Sequence, residues 1–326
     1  MASNTKFEKL LEPGYIGSVK TRNRMIKTGA SMCYWHEDHT HMDERAKAFY
    51  GAVAKGGIGL LIIEAPTLDH PWGARWKERY RIDDDKYIEG LKDLADVIKK
   101  HDCPAFVQMW HDGPWQNPLF PGFPPTYEGP PVGASAVHLD TMADFHRDDP
   151  RPLTVPEIET IIDKWASATV RIQKAGFDGI DINAGSSHIL HNFLSPFWNK
   201  REDDYGGPLE NRARFMLQVV REIRSRTGKD FGIQVLINGV EIGQAFGIDN
   251  KDCLTLEESK KTALMLQEAG TDALHIRNHW LGYHVGGFLP DYLFYPAPPI
   301  PVAQFPPEYN WSRQGAGAND ILTAEM

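Results

Sequence analysis

The segment that decides the fold reads TVPEIETIIDKWASATVRIQKAGFDGIDIN and runs from Thr154 to Asn183. Thr154 stands three positions before Glu157, which is the spacing of a capping box at the start of a helix. Gly176 stands where such a helix should end, because glycine tolerates the left-handed conformation of a helix C-terminus. The run at residues 179–183 is short, apolar and β-rich. The segment therefore predicts a helix at residues 155–175 followed by a buried strand.

The same unit recurs along the chain, with short apolar runs separated by amphipathic stretches. The predicted strands are residues 25–29, 59–65, 105–110, 179–183, 232–238 and 272–276. The predicted helices are residues 43–55, 86–100, 155–175, 209–227 and 256–269. Thr255 and Glu258 repeat the capping-box spacing, and Gly270 repeats the stop signal. This alternation predicts an α/β protein with a parallel sheet, specifically a (β/α)8 TIM barrel.

The predicted strands number six, whereas a closed barrel of this type has eight. A further helix is expected near Asn319, leading toward a seventh strand. An open barrel would leave strand edges exposed, and exposed edges promote aggregation. We therefore interpret residues 1–326 as one barrel domain, incomplete at its C-terminal end, that supplies about the first six βα units. A second polypeptide, or the rest of a cleaved chain, is expected to complete it.

Two long irregular stretches, residues 112–152 and 281–317, follow the third and the sixth predicted strands. Both are rich in proline and also in aromatic residues, which disordered segments lack. Loops after strands are where barrel enzymes place their substrate contacts. We predict that both stretches are ordered loops over the site.

The composition argues against several classes of function. The 326 residues include 44 acidic and 35 basic side chains, for a net charge of -9 at pH 7, which disfavours nucleic acid and anionic membrane surfaces as partners. No apolar run reaches the roughly 18 residues that span a bilayer, and the first residues lack the features of a signal peptide, so a cytoplasmic protein is expected. Cys33, Cys103 and Cys253 are too scattered for a disulfide framework or a metal cluster.

The ends of the predicted strands carry amides, hydroxyls and imidazoles, at the edge where barrel enzymes hold their chemistry. These residues are Thr28, Gly29, Ala30, Ser31, Ala65, Gln108, Trp110, His111, Asn183, Ser186, His188, His191, Gln234, Asn238, Arg277, Asn278, His279 and Trp280. The absence of a carboxylate cluster disfavours a divalent-metal site, although histidine ligands leave zinc open. The set favours hydrogen bonding to a neutral, planar ligand rich in heteroatoms.

Several motifs match a known family. VKTRNR at residues 19–24 resembles the entry to its first strand, and QMWHDG at residues 108–113 is similar to its Q-L-x-H-x-G motif. The most specific match is a composite of FLSP, NKR, DYGG and ENRARF at residues 193–196, 199–201, 204–207 and 210–215. The resemblance extends from Phe7 to about Trp280. On these motifs the chain resembles the old yellow enzyme family of FMN-dependent ene-reductases, in its multidomain 2,4-dienoyl-CoA reductase-like branch.

The resemblance implies FMN across the barrel mouth and hydride transfer from reduced flavin N5 to an activated C=C bond. It implies that Gln108 pairs with the flavin pyrimidine edge and that the hydroxyl of Ser31 donates to flavin O4. It also implies that small residues allow main chain to approach the ring closely. These residues are Thr28, Gly29, Ala30 and Ala65.

Two departures from the family concern the substrate. The pair of His/His or His/Asn side chains that holds an enone carbonyl in relatives aligns with Asn183 and Ser186, which we assign to substrate binding together with Trp280. This departure favours an acyl-CoA thioester over a simple enone. The tyrosine that protonates the substrate in relatives aligns with His188, and an imidazole can serve as this acid near neutral pH. For His188 the alternative left open is a supporting or merely solvated histidine on a loop. We assign His279 as a second acid or orienting group, with a packing role left open.

A third departure concerns the cofactor, because the family's strand-five arginine aligns with Leu236. A cation at that position stabilises the anionic reduced flavin, so its loss predicts a more strongly reducing flavin. Gln234 and Asn238 share the same inward parity, and we expect them to donate neutral hydrogen bonds to the flavin instead. Within the family this combination resembles the aryl-CoA reductases, which attack an aromatic ring.

The resemblance also implies components outside this chain. FAD and a 4Fe-4S cluster would carry electrons from NAD(P)H to FMN, and strands seven and eight would hold the FMN phosphate. A homo-oligomer is expected. Two other readings stay open: a noncatalytic barrel fragment or scaffold subunit, and a barrel lyase working through a Schiff-base lysine. Lys27, in the first predicted strand, is the candidate lysine for the lyase.

Overall fold

The computed structural model describes residues 7–35, 41–74, 80–114, 129–137, 149–185, 188–243 and 248–280. Its strands are β1 Gly14–Ile16, β2 Val19–Thr21, β3 Ile26–Lys27, β4 Leu60–Ile63, β5 Ala105–Met109, β6 Val132–Gly133, β7 Arg151–Pro152, β8 Gly179–Ala184, β9 Gly232–Ile242 and β10 Ala273–Trp280. Its α-helices are α1 Glu8–Leu11, α2 Glu44–Lys55, α3 Ile88–Lys99, α4 Val155–Lys174, α5 Ile189–Leu194, α6 Leu209–Thr227 and α7 Leu256–Ala269.

Six parallel strands form the central sheet, in the order β3-β4-β5-β8-β9-β10. Neighbours in the sheet are also neighbours along the chain, apart from the two short strands β6 and β7, which pair with each other. A long helix connects each of the pairs β3–β4, β4–β5, β5–β8, β8–β9 and β9–β10. All six predicted strands and all five predicted helices are confirmed, as is the α/β class. The described residues thus contain six successive strands of a (β/α)8 barrel.

The ends of the helices follow local rules that the sequence already indicated. Before α7, the Thr255 hydroxyl accepts from the Glu258 amide at 3.2 Å, and the Glu258 carboxylate accepts from the Thr255 amide at 3.3 Å. This capping box satisfies donors that the first turn of a helix leaves open. Gly270 ends α7 with φ at 107°, in the left-handed region that glycine adopts without strain.

The sheet separates two apolar cores. Between sheet and helices lies the larger one, which includes Trp165 on α4 and Phe215 on α6, both completely buried. Inside the barrel, at the amino ends of the strands, Phe106 packs with Leu60, Ile62 and Ile16, the last of which belongs to the β1–β2 hairpin. This inner cluster closes one end of the barrel, so polar side chains on the same strands lie toward the opposite, carboxyl end.

Phe106 fills this interior because two glycines make room for its ring. A Cβ at Gly179 on β8 would lie 2.5 Å from the ring and 2.5 Å from the backbone oxygen of Gly232. A Cβ at Gly232 on β9 would lie 2.5 Å from the same ring. Since real Cβ atoms do not approach so closely, both strands require glycine at this level of the barrel.

Several elements differ from the sequence-based expectation: β10 ends four residues beyond its predicted end at 276, and α1, β1, β2, β6 and β7 were not predicted. Strand β9 continues to Ile242, four residues beyond the predicted end at 238, because β10 continues beside it to Trp280. The short helix α5 was not predicted, since six residues carry too little periodicity to reveal a helix. Of the predicted loops, residues 281–317 and most of 112–152 lie outside the described part, as does the helix expected near Asn319. Within the described part, none of the helices combines the length and apolarity that crossing a membrane requires.

Candidate active site

A row of polar side chains, buried except for a half-buried histidine, crosses four adjacent strands near the carboxyl end of the barrel. The Asp181 carboxylate on β8 accepts from Gln108 Nε2 on β5 at 2.8 Å and from Gln234 Nε2 on β9 at 3.1 Å. The ring of His275 on β10 lies 3.4 Å from the same carboxylate, measured from Nδ1. Asp181 is completely buried, and both glutamines are almost completely buried. One carboxylate therefore holds the amide of Gln108, for which the resemblance implies a flavin contact, and that of Gln234, which we expected at the flavin from its inward parity.

The first of these amides lies against the backbone of residues 28–31, which form an extension of the chain beyond the carboxyl end of β3. A Cβ at Gly29 would stand 2.7 Å from Cδ and 2.8 Å from Oε1 of Gln108. Any larger residue at this position would displace the Gln108 amide from its bond to Asp181. Thr28, Ala30 and Ser31 in the same extension are exposed, whereas Ala65 after β4 is completely buried. Gly29 and Gln108 are thus in direct contact, with the exposed residues of the extension beside them.

A second carboxylate, Glu64, orders the chain after β3. It accepts from the backbone amides of Met32 and Cys33, at 3.0 Å and 3.3 Å, and from the hydroxyl of Tyr50 at 3.4 Å. Burial and the neighbouring Glu64 charge raise the pKa of Tyr50 above its usual range. Glu64 was not singled out from the sequence, because an acidic residue at a strand end does not by itself reveal which loop it binds.

The lysine of the lyase reading faces the outside of the sheet. Lys27 Nζ lies 5.3 Å and 5.9 Å from the ring centroids of Tyr50 and Phe49, both on α2. Burial lowers the pKa of Lys27, and Glu64 raises it in part. A Schiff-base lysine needs access to the cavity where substrate binds. The orientation of Lys27 toward a helix therefore argues against the lyase.

The candidate acid, His188, is held between two residues that follow β5. Its ring stacks on that of Trp110, with centroids 5.1 Å apart and planes 11° apart. Its Nδ1 lies 3.9 Å from Oδ1 of the buried Asp112. Nearby His111 has a structural setting, because it contacts Asp69 at 3.3 Å and accepts from the Gly113 amide at 3.1 Å. His188 stands at the start of α5, and it remains the candidate acid because the contacts of His111 are structural.

Asn238 belongs to a buried cluster with His191 and Glu241. Its Nδ2 lies 2.9 Å from His191 Nε2, and Glu241 accepts from the Ser195 hydroxyl at 2.6 Å. Burial lowers the pKa of His191 to about 3, with a further contribution from Arg277, and burial raises the pKa of Glu241 to about 7. We expected Gln234 and Asn238 to donate to a cofactor, yet both amide nitrogens are directed at protein partners. The buried Oδ1 of Asn238 has no hydrogen-bond partner among the residues described.

Of the remaining predicted site residues, the structure describes only some. The Asn183 Oδ1 accepts from the Gly185 amide at 3.1 Å, so it shapes the chain after β8. Ser186 lies outside the described residues. His279 and Trp280 belong to β10, but their side chains lie outside what is described. Among the residues that the structure covers, no three His, Cys, Asp or Glu side chains are grouped as a metal site would require.

Two charged residues of the mouth were missed from the sequence as site residues. Asp181 could have been found from parity, because it alternates with Asn183 on a strand whose other residues are apolar or small. Arg277 was noted only as a strand-end residue. It is half-buried, and burial lowers its pKa to about 10 while Asp181 raises it. A buried carboxylate and a half-buried cation therefore lie together in the mouth.

Comparisons with known proteins agree with this architecture. The model of the NADH:flavin oxidoreductase / NADH oxidase family matches residues 9–279. An NADH oxidase of Thermoanaerobacter brockii is 35% identical over 272 residues, which are 83% of this chain and 39% of that protein. A 2-naphthoyl-CoA reductase in complex with 2-naphthoyl-CoA superposes with a TM-score of 0.74 at 23% identity, over 87% of this chain and 43% of that one.

An old yellow enzyme homologue from Zymomonas mobilis superposes with a TM-score of 0.67 at 24% identity, over 83% of this chain and 73% of that one. Both structural likenesses establish the barrel fold. The chain spans less than two fifths of the length of its first curated relatives, at 39%, 36% and 37%.

Proposed function

The chain belongs to the NADH:flavin oxidoreductase / NADH oxidase family, and from that premise we propose that it is the FMN-binding barrel of a reductase acting on C=C bonds of unsaturated or aromatic acyl-CoA thioesters. The observation that carries the proposal is the contact between Gly29 and the buried Gln108 amide, which is fixed by its hydrogen bond to Asp181. This contact combines an oriented amide with a backbone that a flat ligand can approach.

FMN fits the residues at the mouth. Gln108 uses one Nε2 hydrogen for Asp181, which leaves its second Nε2 hydrogen and its Oε1 for the imide edge of the ring. The buried Oδ1 of Asn238 is an acceptor that still needs a donor. The exposed hydroxyl of Ser31 is available to donate to flavin O4. When bound, FMN supplies a hydride at N5.

Residues of this chain would bind and orient the flavin, and one of them would protonate the substrate. Asp181 sets the direction of the Gln108 amide before any ligand arrives, which lowers the entropy cost of binding. His188 would hold the proton that completes the reduction. Its Nδ1 lies 3.9 Å from Oδ1 of Asp112, and we assign delivery of the proton to Nε2. The stack on Trp110 fixes the orientation of the His188 ring.

The substrate part of the proposal rests on Asn183, Ser186 and Trp280, with His279 as a second acid or orienting group. The 2-naphthoyl-CoA complex of a structural neighbour supports an aryl-CoA thioester as one candidate substrate. Electrons would arrive from NAD(P)H through FAD and a 4Fe-4S cluster on components outside residues 1–326. A second polypeptide or chain portion would complete the barrel, and the assembly would be a homo-oligomer. The greater length of the curated relatives supports these additional components.

The proposal is tested by colour and by single-turnover reduction. The purified protein, with the components that complete it, should bind FMN and be bleached by an anaerobic reductant. Mixing the reduced protein with naphthoyl-CoA or a dienoyl-CoA should then restore the flavin absorption. A preparation that stays colourless after incubation with FMN would favour the scaffold or lyase readings and overturn the proposal.

His188 is tested in the same assay with His188→Phe, which keeps an aromatic ring for the stack on Trp110 but removes the proton. We expect reoxidation at least a hundredfold slower, since general acids contribute about 10²–10⁴-fold. His101→Phe, near the end of α3 and away from the mouth, is the control. A wild-type rate across pH in His188→Phe would remove His188 from the mechanism.

A further inference from the structure

Arg277 faces the interior of the barrel at its carboxyl end. On β10 it lies opposite Asn238 of β9, and a register irregularity follows it directly. His275, two residues earlier, faces inward because its ring reaches Asp181. Side chains two positions apart on a strand share a face, so Arg277 faces inward as well. The irregularity after it is of the kind that redirects strands beside active sites.

Three observations locate its side chain in the mouth. A Cβ at Gly185, just after β8, would lie 3.5 Å from Arg277 Cδ, so the side chain reaches across β9 toward β8. The negative charge of Asp181 raises the pKa of Arg277, and the positive charge of Arg277 lowers the pKa of His191. The guanidinium therefore lies near both a buried carboxylate and a buried imidazole. With a pKa of about 10 it keeps its charge at neutral pH.

The groups around this cation belong to the proposed flavin site. The Asp181 carboxylate, which attracts Arg277, already accepts hydrogen bonds from Gln108 and Gln234. Leu236 on β9, buried beside Gly185, contributes no charge.

We propose that Arg277 supplies the positive charge at the pyrimidine end of the bound flavin, from β10 rather than from the strand-five position that Leu236 occupies. The inference rests on the proposed flavin site. It also replaces the expectation drawn from Leu236 alone, because a cation supplied from the next strand stabilises the reduced anionic cofactor as a strand-five arginine does. The flavin would then not be the unusually strong reductant that the Leu236 substitution suggested.

The test measures the FMN midpoint potential by spectroelectrochemistry and the FMN dissociation constant by fluorescence, in the complete protein. For Arg277→Leu we expect the affinity for reduced relative to oxidised FMN to fall at least tenfold. For a two-electron couple this corresponds to a midpoint about 30 mV more negative. Arg277→Lys should retain most of the wild-type potential. The double variant Arg277→Leu/Leu236→Arg should restore it, because the charge returns from the neighbouring strand.

Arg221→Leu, which removes an exposed arginine of α6, controls for the loss of one positive charge and should leave the potential unchanged. Should Arg277→Leu fail to fold, Arg277→Gln provides a neutral side chain that can still form hydrogen bonds, and the same tenfold change is expected. An unchanged potential in folded, FMN-loaded Arg277→Leu or Arg277→Gln overturns the role of Arg277 and leaves the proposed function standing. A wild-type protein that binds no FMN overturns the proposed function itself.

Discussion

At the scale of single residues, Asp181 illustrates what sequence reasoning can and cannot supply. Gln108 was singled out because it sits in a motif, and Asp181 was missed because its role depends on a partner 73 residues away. The register of β5 against β8 sets Gln108 directly opposite Asp181. Neither residue's neighbours along the chain carry information about this pairing. Contacts across strands, such as those of Asp181 and Arg277, are therefore the part of the site that local patterns do not predict.

Replacing Asp181 by asparagine should weaken both folding and cofactor binding. Asp181→Asn keeps the volume but removes an acceptor from one of the two glutamine amides, which leaves a buried donor unsatisfied. Such a loss costs about 1–3 kcal/mol of unfolding free energy, measurable by urea denaturation. FMN affinity, followed by fluorescence, should fall at least tenfold. Asp163→Asn, exposed on α4, is the control, and wild-type FMN affinity in Asp181→Asn would contradict the role assigned to this carboxylate.

The buried pair of His191 and Glu241 predicts opposite pH dependences in two variants. The lowered pKa of His191 means that the unfolded chain gains a proton first on acidification, so stability falls between about pH 6.5 and 3. The raised pKa of Glu241 has the opposite sign, because the folded state gains the proton first between about pH 7 and 4.5. From pH 7 to 5 the two contributions offset each other.

His191→Gln should therefore lose less stability than the wild type between pH 7 and pH 5, and Glu241→Gln should lose more. Urea denaturation at each pH measures the difference. Parallel pH profiles in the two variants would show that these groups do not titrate as their burial indicates.

At the scale of elements, the sequence predicted the helices well because their boundaries are set by adjacent residues. Capping boxes and stop glycines act over three or four positions, and the structure confirms them at α7. Strand ends depend on partners instead. β9 extends past residue 238 because β10 lies beside it. In this added part of β9, Glu241 accepts from the Leu254 amide at 3.0 Å, a contact that the local sequence pattern does not predict. The short helix α5 likewise depends on tertiary packing, since all six of its residues are buried.

The cap of α7 makes a prediction confined to that helix. Thr255→Ala removes the hydroxyl that accepts from the Glu258 amide and should lower the unfolding free energy by about 1 kcal/mol. FMN affinity should not change, because the cap lies outside the mouth. Thr160→Ala, within α4, removes a hydroxyl that donates to the backbone of the preceding turn. It should lower the unfolding free energy by less than Thr255→Ala does. An equal loss in both variants would mean that the cap contributes nothing specific.

At the scale of the whole molecule, the parallel order of six strands was predictable from the alternation of strand and helix alone. The position of each side chain inside the barrel was not, because it depends on how strands of different length are staggered. Phe106, Gly179 and Gly232 occupy one level of the interior, and Gln108, Asp181 and Gln234 occupy the next inward level, two residues further on. The apolar cluster that closes one end of the barrel and the polar side chains of the mouth are thus two consecutive layers on the same strands.

The apolar layer can be tested by a pair of rescues. In Gly232→Ala the new methyl meets side chains, chiefly the Phe106 ring, and should cost about 1–3 kcal/mol. Adding Phe106→Leu should recover part of that loss. In Gly179→Ala the methyl also meets the backbone oxygen of Gly232, so the same second substitution should recover much less. Equal rescue of both variants, measured by urea denaturation, would contradict the assigned packing.

The polar row through Gln108, Asp181, Gln234 and His275 links four strands by side chains as well as by backbone. A molecule that binds the Gln108 amide would therefore also restrain β8 and β9, because separating those strands would require breaking the bonds to Asp181. Occupancy of the mouth should slow amide hydrogen exchange along strands that the bound molecule does not touch. Slower hydrogen exchange in these strands would thus indicate that the mouth of the barrel is occupied.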